Sequence, residues 1–352
     1  MKWHRPLSDY TPFSLRWIYC CKAMLAALVL FIPILFFNLP SASVLICAAP
    51  FFLMAPDRSL IRDVYWQVPL GFCSGLFFGV LAVNLIGVYW PIAIGLMSLW
   101  NIVWVYLSET APALRIPCRM ISIVPLGILS MAGAGSQALI PQMMGLLIGL
   151  SFLGMGSFIL IDHLFFPIKN NFPPRPPLLK NIKNYFQTFP LDFSHLFLAL
   201  RTNLSVLIIL WISYTTGLPG LSTMVSAIVS AVVVSTPLSD KLKSSLSSRI
   251  SGTLFGAFLG IVCVFILTLF PFAWLMIFCF IFGTGLITYL AQENMGFASR
   301  GMQAGVAFLM TFLPSAHFTV DISGGLDRLL GIIYGCLVAY LVSKTIRLPE
   351  KK

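Results

Sequence analysis

Charge is what this chain of 352 residues has least of: Asp, Glu, Lys and Arg together make up 9% of it, whereas hydrophobic residues make up 59%. A soluble domain carries about a quarter charged residues. The shortage therefore excludes an ordinary soluble protein and indicates an integral membrane protein. The net charge of +11 does not indicate nucleic-acid binding, because the basic residues are spread between long apolar runs.

Sequence motifs of metal, disulfide and nucleotide sites are also missing. The eight cysteines show no CxxC or Cys/His ligand spacing, and the four histidines form no HExxH pair. No GxxxxGK[ST] motif is present, so ATP hydrolysis by this chain is excluded. A membrane enzyme needs clustered Asp, His or Cys at a membrane face, and Asp162-His163 alone is too small a cluster. We therefore predict no metal, no cofactor and no enzymatic activity.

Five runs without a charged residue dominate what is present: 23–56, 64–108, 120–161, 202–239 and 250–292. Because a spanning helix needs about 20 apolar residues, each run has room for two helices joined by an uncharged hairpin. The charged clusters between the runs then lie on one side of the membrane, and only Arg328 of the 22 Lys and Arg residues lies on the far side. By the positive-inside rule the common side is cytoplasmic, and both termini lie there.

These runs predict an all-α polytopic membrane protein with about 12 transmembrane helices. The predicted spans are 17–39, 41–55, 66–85, 90–107, 117–134, 140–165, 197–217, 220–236, 250–269, 271–290, 300–314 and 326–346.

An internal repeat divides the chain into halves. Five residues recur at a constant offset of 181 positions, as Pro56/Pro237, Gly71/Gly252, Gly75/Gly256, Gly79/Gly260 and Arg119/Arg300. Gly145 and Gly149 recur as Gly331 and Gly335 after a five-residue slip. We predict a first six-helix membrane repeat at 1–166, a cytoplasmic linker at 167–195 and a second six-helix membrane repeat at 196–352. Because each repeat has an even number of spans, the two repeats have the same orientation across the membrane and are parallel repeats.

A finer repeat is an open hypothesis. Arg249-x-x-Gly252-x-x-x-Gly256 opens the ninth predicted span from the cytoplasmic side, and Arg328-x-x-Gly331-x-x-x-Gly335 opens the twelfth from the far side. Either each half is a nested 3+3 inverted repeat, or this short pattern recurs by chance. In both cases glycines four residues apart lie on one helix face and favour close helix packing. The predicted packing glycines are Gly71, Gly75, Gly145, Gly149, Gly252, Gly256, Gly331 and Gly335.

Arginines at membrane level are the first candidates for a binding site. A charge in a spanning segment costs about 2.5–3.5 kcal/mol on insertion scales, so it indicates a role. Arginine pairs a carboxylate bidentately and therefore suits organic anions. We predict Arg119, Arg201 and Arg300 as substrate-binding residues, and Arg249 and Arg328 as the arginines of the repeated motif. Two alternatives stay open. The side chains of Arg119, Arg249 and Arg300 could extend to the cytoplasmic lipid headgroups, and Arg328 could form an ion pair with Asp327.

Short spans and acidic residues supply the remaining candidates. The eighth predicted span carries Ser222, Ser226 and Ser230 at intervals of four, which gives one polar helix face, and Gln303 lies one turn into the short eleventh span. These four are predicted substrate-binding residues, and close packing of small side chains is the alternative for the serines. Proton-coupled transport needs a titratable group. The candidates are Glu109, Glu293, Asp162 and Asp327, which are otherwise edge or loop charges.

The second half carries an ordered set of short motifs: Ala199-Leu-Arg-Thr202, Gly217-Leu-Pro-Gly220, Pro237 and Arg249-Ile-Ser-Gly-Thr-Leu-Phe-Gly256. This order resembles the core module of the fusaric acid resistance or aromatic acid exporter superfamily, and the size resembles its compact bacterial members without large cytoplasmic domains. The first half looks like a weaker copy, with Asn38-Leu-Pro40 and the glycines at 71, 75 and 79. It departs from the module where Val68 stands at the Arg249 position and Gln142 at the Arg328 position.

The resemblance implies a multi-pass efflux transporter of the bacterial inner membrane. Its expected substrates are small aromatic carboxylic acids, and its expected partner is a membrane-fusion (periplasmic adaptor) protein. Because no ATP-binding motif is present, a proton gradient is the expected energy source. A passive organic-anion channel using the same arginines is the main alternative, and a lipid-handling membrane protein is the third.

Overall fold

The structure is a computed structural model of the chain. It describes residues 12–37, 58–111, 114, 117–122, 124–125, 152, 156–157, 159–161, 192–216, 220–234, 239–291, 298–312 and 323–346. The secondary structure of these residues is almost entirely α-helical. The predicted all-α fold is therefore confirmed for the described part of the chain.

The long helices of the described part are α1 (Pro12–Phe37), α2 (Arg58–Thr110), α3 (Phe193–Thr216), α4 (Gly220–Val234), α5 (Ser239–Leu269), α6 (Ala273–Ala291), α7 (Ala298–Phe312) and α8 (Ser323–Thr345). Residues 117–122 are helical as well. Apart from α2, each long helix coincides with one predicted span to within a few residues, except that α5 begins earlier. The predicted span 41–55 lies outside the described residues, as do most of 140–165 and most of the linker 167–195.

In the part of the chain that the structure describes, four helical stretches are long and apolar enough to cross a membrane: Phe193–Ile212, Leu246–Leu269, Ala273–Ala291 and Leu326–Thr345. The chain is therefore a helical membrane-embedded protein. By contrast, α4 and α7 contain 15 residues each. Their length of about 22 Å is less than the hydrocarbon thickness of about 30 Å.

α2 is helical over 53 residues, although the sequence predicts two spans there, at 66–85 and 90–107. A straight helix would separate Phe78 from Trp100 by about 33 Å. Their ring centroids lie 3.8 Å apart, so the chain reverses its direction between these residues. Residues 86–89, which the sequence predicts as the connection between two spans, are themselves helical. Gly87 is the only glycine there, and its apolar neighbours are compatible with a helix.

The chain divides into two compact units. Unit 1 comprises Met1–Tyr65, Gly145–Phe172 and Ser247–Leu329, and unit 2 comprises Trp66–Met144, Pro173–Leu246 and Leu330–Lys352. Each unit therefore combines segments from before and after residue 166, where the first predicted repeat ends. In unit 1 this combination brings α1 against α6 and α6 against α7, and in unit 2 it includes the pairing of α3 with α4.

Unit 1 has an aromatic core between α1, α6 and α7. The rings of Phe31 and Phe280 stack with centroids 4.0 Å apart, and Phe308 stacks on Phe312 at 5.3 Å. All four side chains are essentially inaccessible to solvent. Because such a core is densely packed, it holds one face of α7 in a fixed position.

Glycines make the closest helix contacts in both units. In unit 1, Cβ atoms on Gly252 and Gly256 would overlap the backbone of Arg300 and Ala304. In unit 2, a Cβ atom on Gly71 of α2 would meet the backbone of Pro117, and one on Gly75 would meet the side chain of Val124.

A second close contact in unit 2 joins α8 to α4. A Cβ atom on Gly335 would meet the backbone of Ser226, and the carbonyl oxygen of Gly331 accepts a hydrogen bond from the Ser226 hydroxyl. Gly145 and Gly149, the other predicted packing glycines, lie outside the described residues.

Candidate functional site

In unit 1, the close packing of α5 on α7 aligns their polar residues. Successive positions along α5 meet successive positions along α7: Gly252 meets Arg300, Gly256 meets Ala304 and Gly260 meets Thr311. The two helices therefore run parallel. Arg249 precedes Gly252 by about one turn, and Gln303 follows Arg300 by about one turn.

Arg328, in the second turn of α8, forms the centre of the site. Its Nη2 atom donates a hydrogen bond to Oε1 of Gln303 at 2.9 Å, and its Nη1 atom donates to Sδ of Met310 at 3.5 Å. Since an arginine can only donate, Gln303 must present its amide oxygen. Gln303 and Met310 are seven residues apart, so they lie on the same face of α7.

The charge of Arg328 is not balanced by the groups to which it donates. Arg328 and Arg249 are each 6% exposed, and the positive charge of Arg249 acts on Arg328. Gln303 and Met310 are neutral, and Nε of Arg328 is buried without a hydrogen-bond partner among the described residues. A buried guanidinium in this state is costly. The arrangement is chemically suited to binding an organic anion.

The predicted ion pair of Arg328 with Asp327 is not among the contacts of Arg328. Asp327 is half-buried and has an interaction of its own. Arg300 is half-buried as well, and its backbone rather than its guanidinium contacts Gly252. The structure therefore brings together Arg249, Gln303 and Arg328 from the predicted residues.

In unit 2, Arg201 is bound by helix ends. This buried side chain donates from Nη2 to the carbonyl oxygen of Val234 at 2.5 Å and from Nη1 to that of Ile346 at 3.3 Å. Val234 ends α4, and Ile346 directly follows α8. The last carbonyl groups of a helix lack partners within the helix, and a cation is favourable there. Arg201 thus caps two helices.

Arg119, also in unit 2, pairs with an acidic residue. Its Nη2 atom lies 2.5 Å from Oε1 of Glu109, and the two side chains are 27% and 8% exposed. A predicted substrate-binding residue and a predicted proton-coupling residue therefore interact with each other. Glu293 and Asp162, the remaining acidic candidates besides Asp327, lie outside the described residues.

The three predicted serines differ in their surroundings. Ser226 is completely buried, and its Oγ atom donates to the carbonyl oxygen of Gly331 at 2.8 Å. Ser230 is also completely buried, but its hydroxyl has no hydrogen-bond partner among the described residues. Ser222 lies in α4, and its side chain is outside the described part. No group of three or more His, Cys, Asp or Glu side chains that could hold a metal occurs where the structure describes the chain.

Sequence reasoning missed two residues of interest. Met310 has no signal in the sequence, since it is one of 14 methionines. Lys22 in unit 1 is 2% exposed, and its Nζ atom lies 5.4 Å from the ring centroid of Tyr19. When the two Leu-Pro pairs at 39–40 and 218–219 are aligned, Lys22 falls opposite Arg201, and this alignment could have revealed it.

An apolar groove of about 370 Å³ lies in unit 2, between the two arms of α2. Phe78, Trp100 and Trp104 form its aromatic part. None of the predicted site residues lines it. The groove therefore offers an apolar surface and contains none of the arginines of the candidate site.

No protein-family model matches the chain, and no curated protein and no solved structure is significantly similar to it.

Proposed function

We propose that this chain exports small organic acids, aromatic carboxylic acids above all, across the bacterial inner membrane. The observation that carries the proposal is the buried guanidinium of Arg328, which among the described residues donates to the neutral side chains of Gln303 and Met310 and is influenced by the like charge of Arg249. An anion that entered this site would neutralise a charge for which burial is costly. A carboxylate is the anion that the planar guanidinium binds best.

The short helices support a site at this level of the membrane. Gln303 and Met310 belong to α7, of which the structure describes 15 residues, and the sequence predicts a short span there. Interrupted or short helices commonly surround transport sites, because irregular backbone is tolerated where it lines a cavity. The resemblance of the 199–256 motifs to the aromatic acid exporter superfamily favours the same function.

The proposal includes about twelve spans arranged as two parallel six-helix repeats. Two glycine contacts that are related by the offset of 181 residues support it. In unit 2 Gly71 meets Pro117 and Met120 and Gly75 meets Met120 and Val124, and in unit 1 Gly252 meets Arg300 and Gly256 meets Ala304.

A nested inverted repeat is part of the same proposal. Within the second half, α5 packs through Gly256 on α7, and α8 packs through Gly335 on α4. If α3–α5 correspond to α6–α8, these two contacts are equivalent, because α4 corresponds to α7 and α5 to α8. The pairing of α3 with α4 and of α6 with α7 fits the same correspondence.

Efflux from living cells tests the function. Cells with this chain deleted or restored would be loaded with labelled benzoate and with a fusarate-like acid, with and without a protonophore. We expect deletion to slow the loss of label, and the protonophore to have the same effect on the restored cells. If deletion changes the efflux of no acid, the proposed substrate class is wrong.

A passive organic-anion channel is the second candidate. Glu109 favours it, because this nearly buried carboxylate is already paired with Arg119 and is poorly placed to carry protons. In the same assay, a channel would equilibrate the acid in both directions. A gradient of acid that is built up against its concentration difference would exclude this candidate. Export by the full system further requires a periplasmic adaptor protein, which we include in the proposal.

A further inference from the structure

We propose that the amide oxygen of Gln303 occupies the position that one carboxylate oxygen of the transported anion takes on Arg328. The inference rests on the proposed function and specifies how the site binds its substrate. Gln303 is then a placeholder, which holds the buried guanidinium in position while the site is empty and yields to the substrate.

The hydrogen bonds of Arg328 lead to this assignment. Nη1 donates to Met310 and Nη2 donates to Gln303, whereas Nε is buried and has no hydrogen-bond partner in the described part of the chain. A carboxylate binds a guanidinium through two parallel hydrogen bonds. On the Nε–Nη2 edge, Nε has no hydrogen-bond partner in the described part of the chain, and Nη2 donates to Oε1 of Gln303. In the proposed exchange, a substrate carboxylate accepts from both atoms after the amide oxygen leaves.

The amide group of Gln303 can assist this exchange. A glutamine side chain has an acceptor oxygen and a donor NH₂ group at almost the same place. In the empty site it accepts from Arg328. After rotation about its last bond it can donate through Nε2 to the bound carboxylate. Gln303 is 6% exposed, so neither arrangement depends on open solvent.

Electrostatics makes the exchange favourable in the direction of binding. A carboxylate brings the opposite charge and can accept two parallel hydrogen bonds from a guanidinium, whereas an amide oxygen is neutral. The carboxylate would also reduce the repulsion between Arg328 and Arg249. The amide of Gln303 provides neither effect, and it is therefore a ligand strong enough to orient Arg328 but weak enough to be displaced.

The geometry selects planar carboxylates. The site offers one guanidinium edge, with Met310 fixed on the remaining nitrogen. A sulfonate has three tetrahedral oxygens, so one of them would be left without a donor in a buried place. We expect benzoate to bind more tightly than benzenesulfonate.

Two substitutions at Gln303 separate a placeholder from a merely structural contact. Gln303→Glu keeps the size of the side chain and supplies a permanent carboxylate to Arg328. Gln303→Met keeps most of the volume and removes the acceptor. A structural role predicts that Gln303→Glu preserves function and that Gln303→Met destroys it. The placeholder predicts the opposite order for ligand affinity.

The experiment measures benzoate binding by calorimetry, and thermal stability, for the purified full chain in detergent. We expect Gln303→Glu to raise the melting temperature and to weaken benzoate binding about thirtyfold or more, because the internal carboxylate blocks the site. We expect Gln303→Met to lower the melting temperature and still to bind benzoate. Thr216→Asp, which adds a negative charge at an exposed position at the end of α3 and outside the apolar stretch Phe193–Ile212, controls for general charge effects and should bind like the wild type.

The outcomes distinguish the inference from the function on which it rests. If wild type binds benzoate and Gln303→Glu binds it equally well, or if Gln303→Met abolishes binding, the placeholder is wrong and the function stands. If wild type binds neither benzoate nor any other acid of the panel, the proposed function fails and the inference fails with it.

Discussion

In unit 2, Arg119 has a carboxylate partner and Arg201 donates to the carbonyl groups that end two helices, whereas in unit 1 Arg328 lies beside an amide, a thioether and a like charge. The carboxylate belongs to Glu109, and the amide, the thioether and the like charge belong to Gln303, Met310 and Arg249. Arginines that are alike in the sequence therefore have different chemical roles, and the groups around each guanidinium decide which role it takes.

The sequence of the two halves reflects the same difference. At the position of Arg249 the first half has Val68, and at the position of Arg328 it has Gln142. A duplicated chain can therefore keep the helix-packing glycines in both halves while only one half keeps the motif arginines. If the proposed repeat and the proposed binding site are correct, the two halves share the packing glycines and differ in the motif arginines.

The largest expected effect concerns the glycine contact of unit 1. In Gly256→Leu the new side chain would collide with the backbone of Ala304, which cannot rotate away. Overpacking against side chains costs about 1–3 kcal/mol, and a collision with backbone costs more. We expect almost no folded protein when the membrane fraction is examined by fluorescence-detected gel filtration.

The matched glycines of unit 2 sharpen this test. Gly75 meets the side chain of Val124 first, so Gly75→Ala should be tolerated better than Gly256→Ala. Gly95 in α2 has nothing within 4 Å of an added Cβ atom. Gly95→Ala should therefore preserve the folded protein, with a gain of about 0.5–1 kcal/mol from the helix preference of alanine. Equal yields for Gly256→Leu and Gly95→Ala would mean that the α5–α7 contact is not close.

The second effect separates the arginine of unit 1 from that of unit 2. Arg328→Gln removes the proposed ligand of the anion together with a buried charge, so we expect transport to be lost while the folded yield is kept. Arg201→Gln leaves two helix-end carbonyls with fewer donors. Hydrogen bonds to a charged donor contribute about 1.5–3 kcal/mol each. We therefore expect a lower folded yield for Arg201→Gln, with benzoate affinity unchanged in the protein that does fold.

Both quantities are read from the same preparations, by gel filtration for yield and by calorimetry for affinity. The proposed division of roles would be contradicted by Arg201→Gln that folds normally and loses affinity. It would equally be contradicted by Arg328→Gln that binds benzoate as tightly as the wild type. For Arg328→Lys we expect a benzoate affinity between those of the wild type and Arg328→Gln, because lysine keeps the charge but cannot bind a carboxylate through two parallel hydrogen bonds.

Much of the fold was predictable because hydrophobicity and charge set the helices. The bounds of α3, α4, α6, α7 and α8 follow from apolar runs of suitable length between charged or turn residues. The grouping into units was not predictable. It depends on which helices meet in space, and contacts such as those of Gly256 and Gly335 become informative only when the partner helix is known.

The types of residue at the candidate site were predictable from the sequence, but which of the predicted residues lie together was not. Arginine within an apolar helix indicates a role, and this rule selected Arg201 and Arg328 alike. Their difference depends on carbonyl groups of Val234 and Ile346, which carry no signal in the sequence because every residue has one. Gln303 was selected by its position in a short span, and its bond to Arg328 joins residues 25 positions apart.

The smallest expected effect concerns Ser226 and Ser230, the two buried serines of α4 in unit 2. Ser226→Ala removes the hydrogen bond to the carbonyl oxygen of Gly331, so we expect a loss of about 0.5–1.5 kcal/mol in thermal or denaturant unfolding. Ser230→Ala removes a buried hydroxyl without a partner among the described residues, so stability should stay constant or rise slightly.

Of the two serines, Ser230 is accordingly the better candidate for contact with a solute. If Ser230→Ala lowers export at unchanged stability, unit 2 also contributes to the binding path. If it changes neither, α4 serves helix packing alone, and the binding role stays with unit 1.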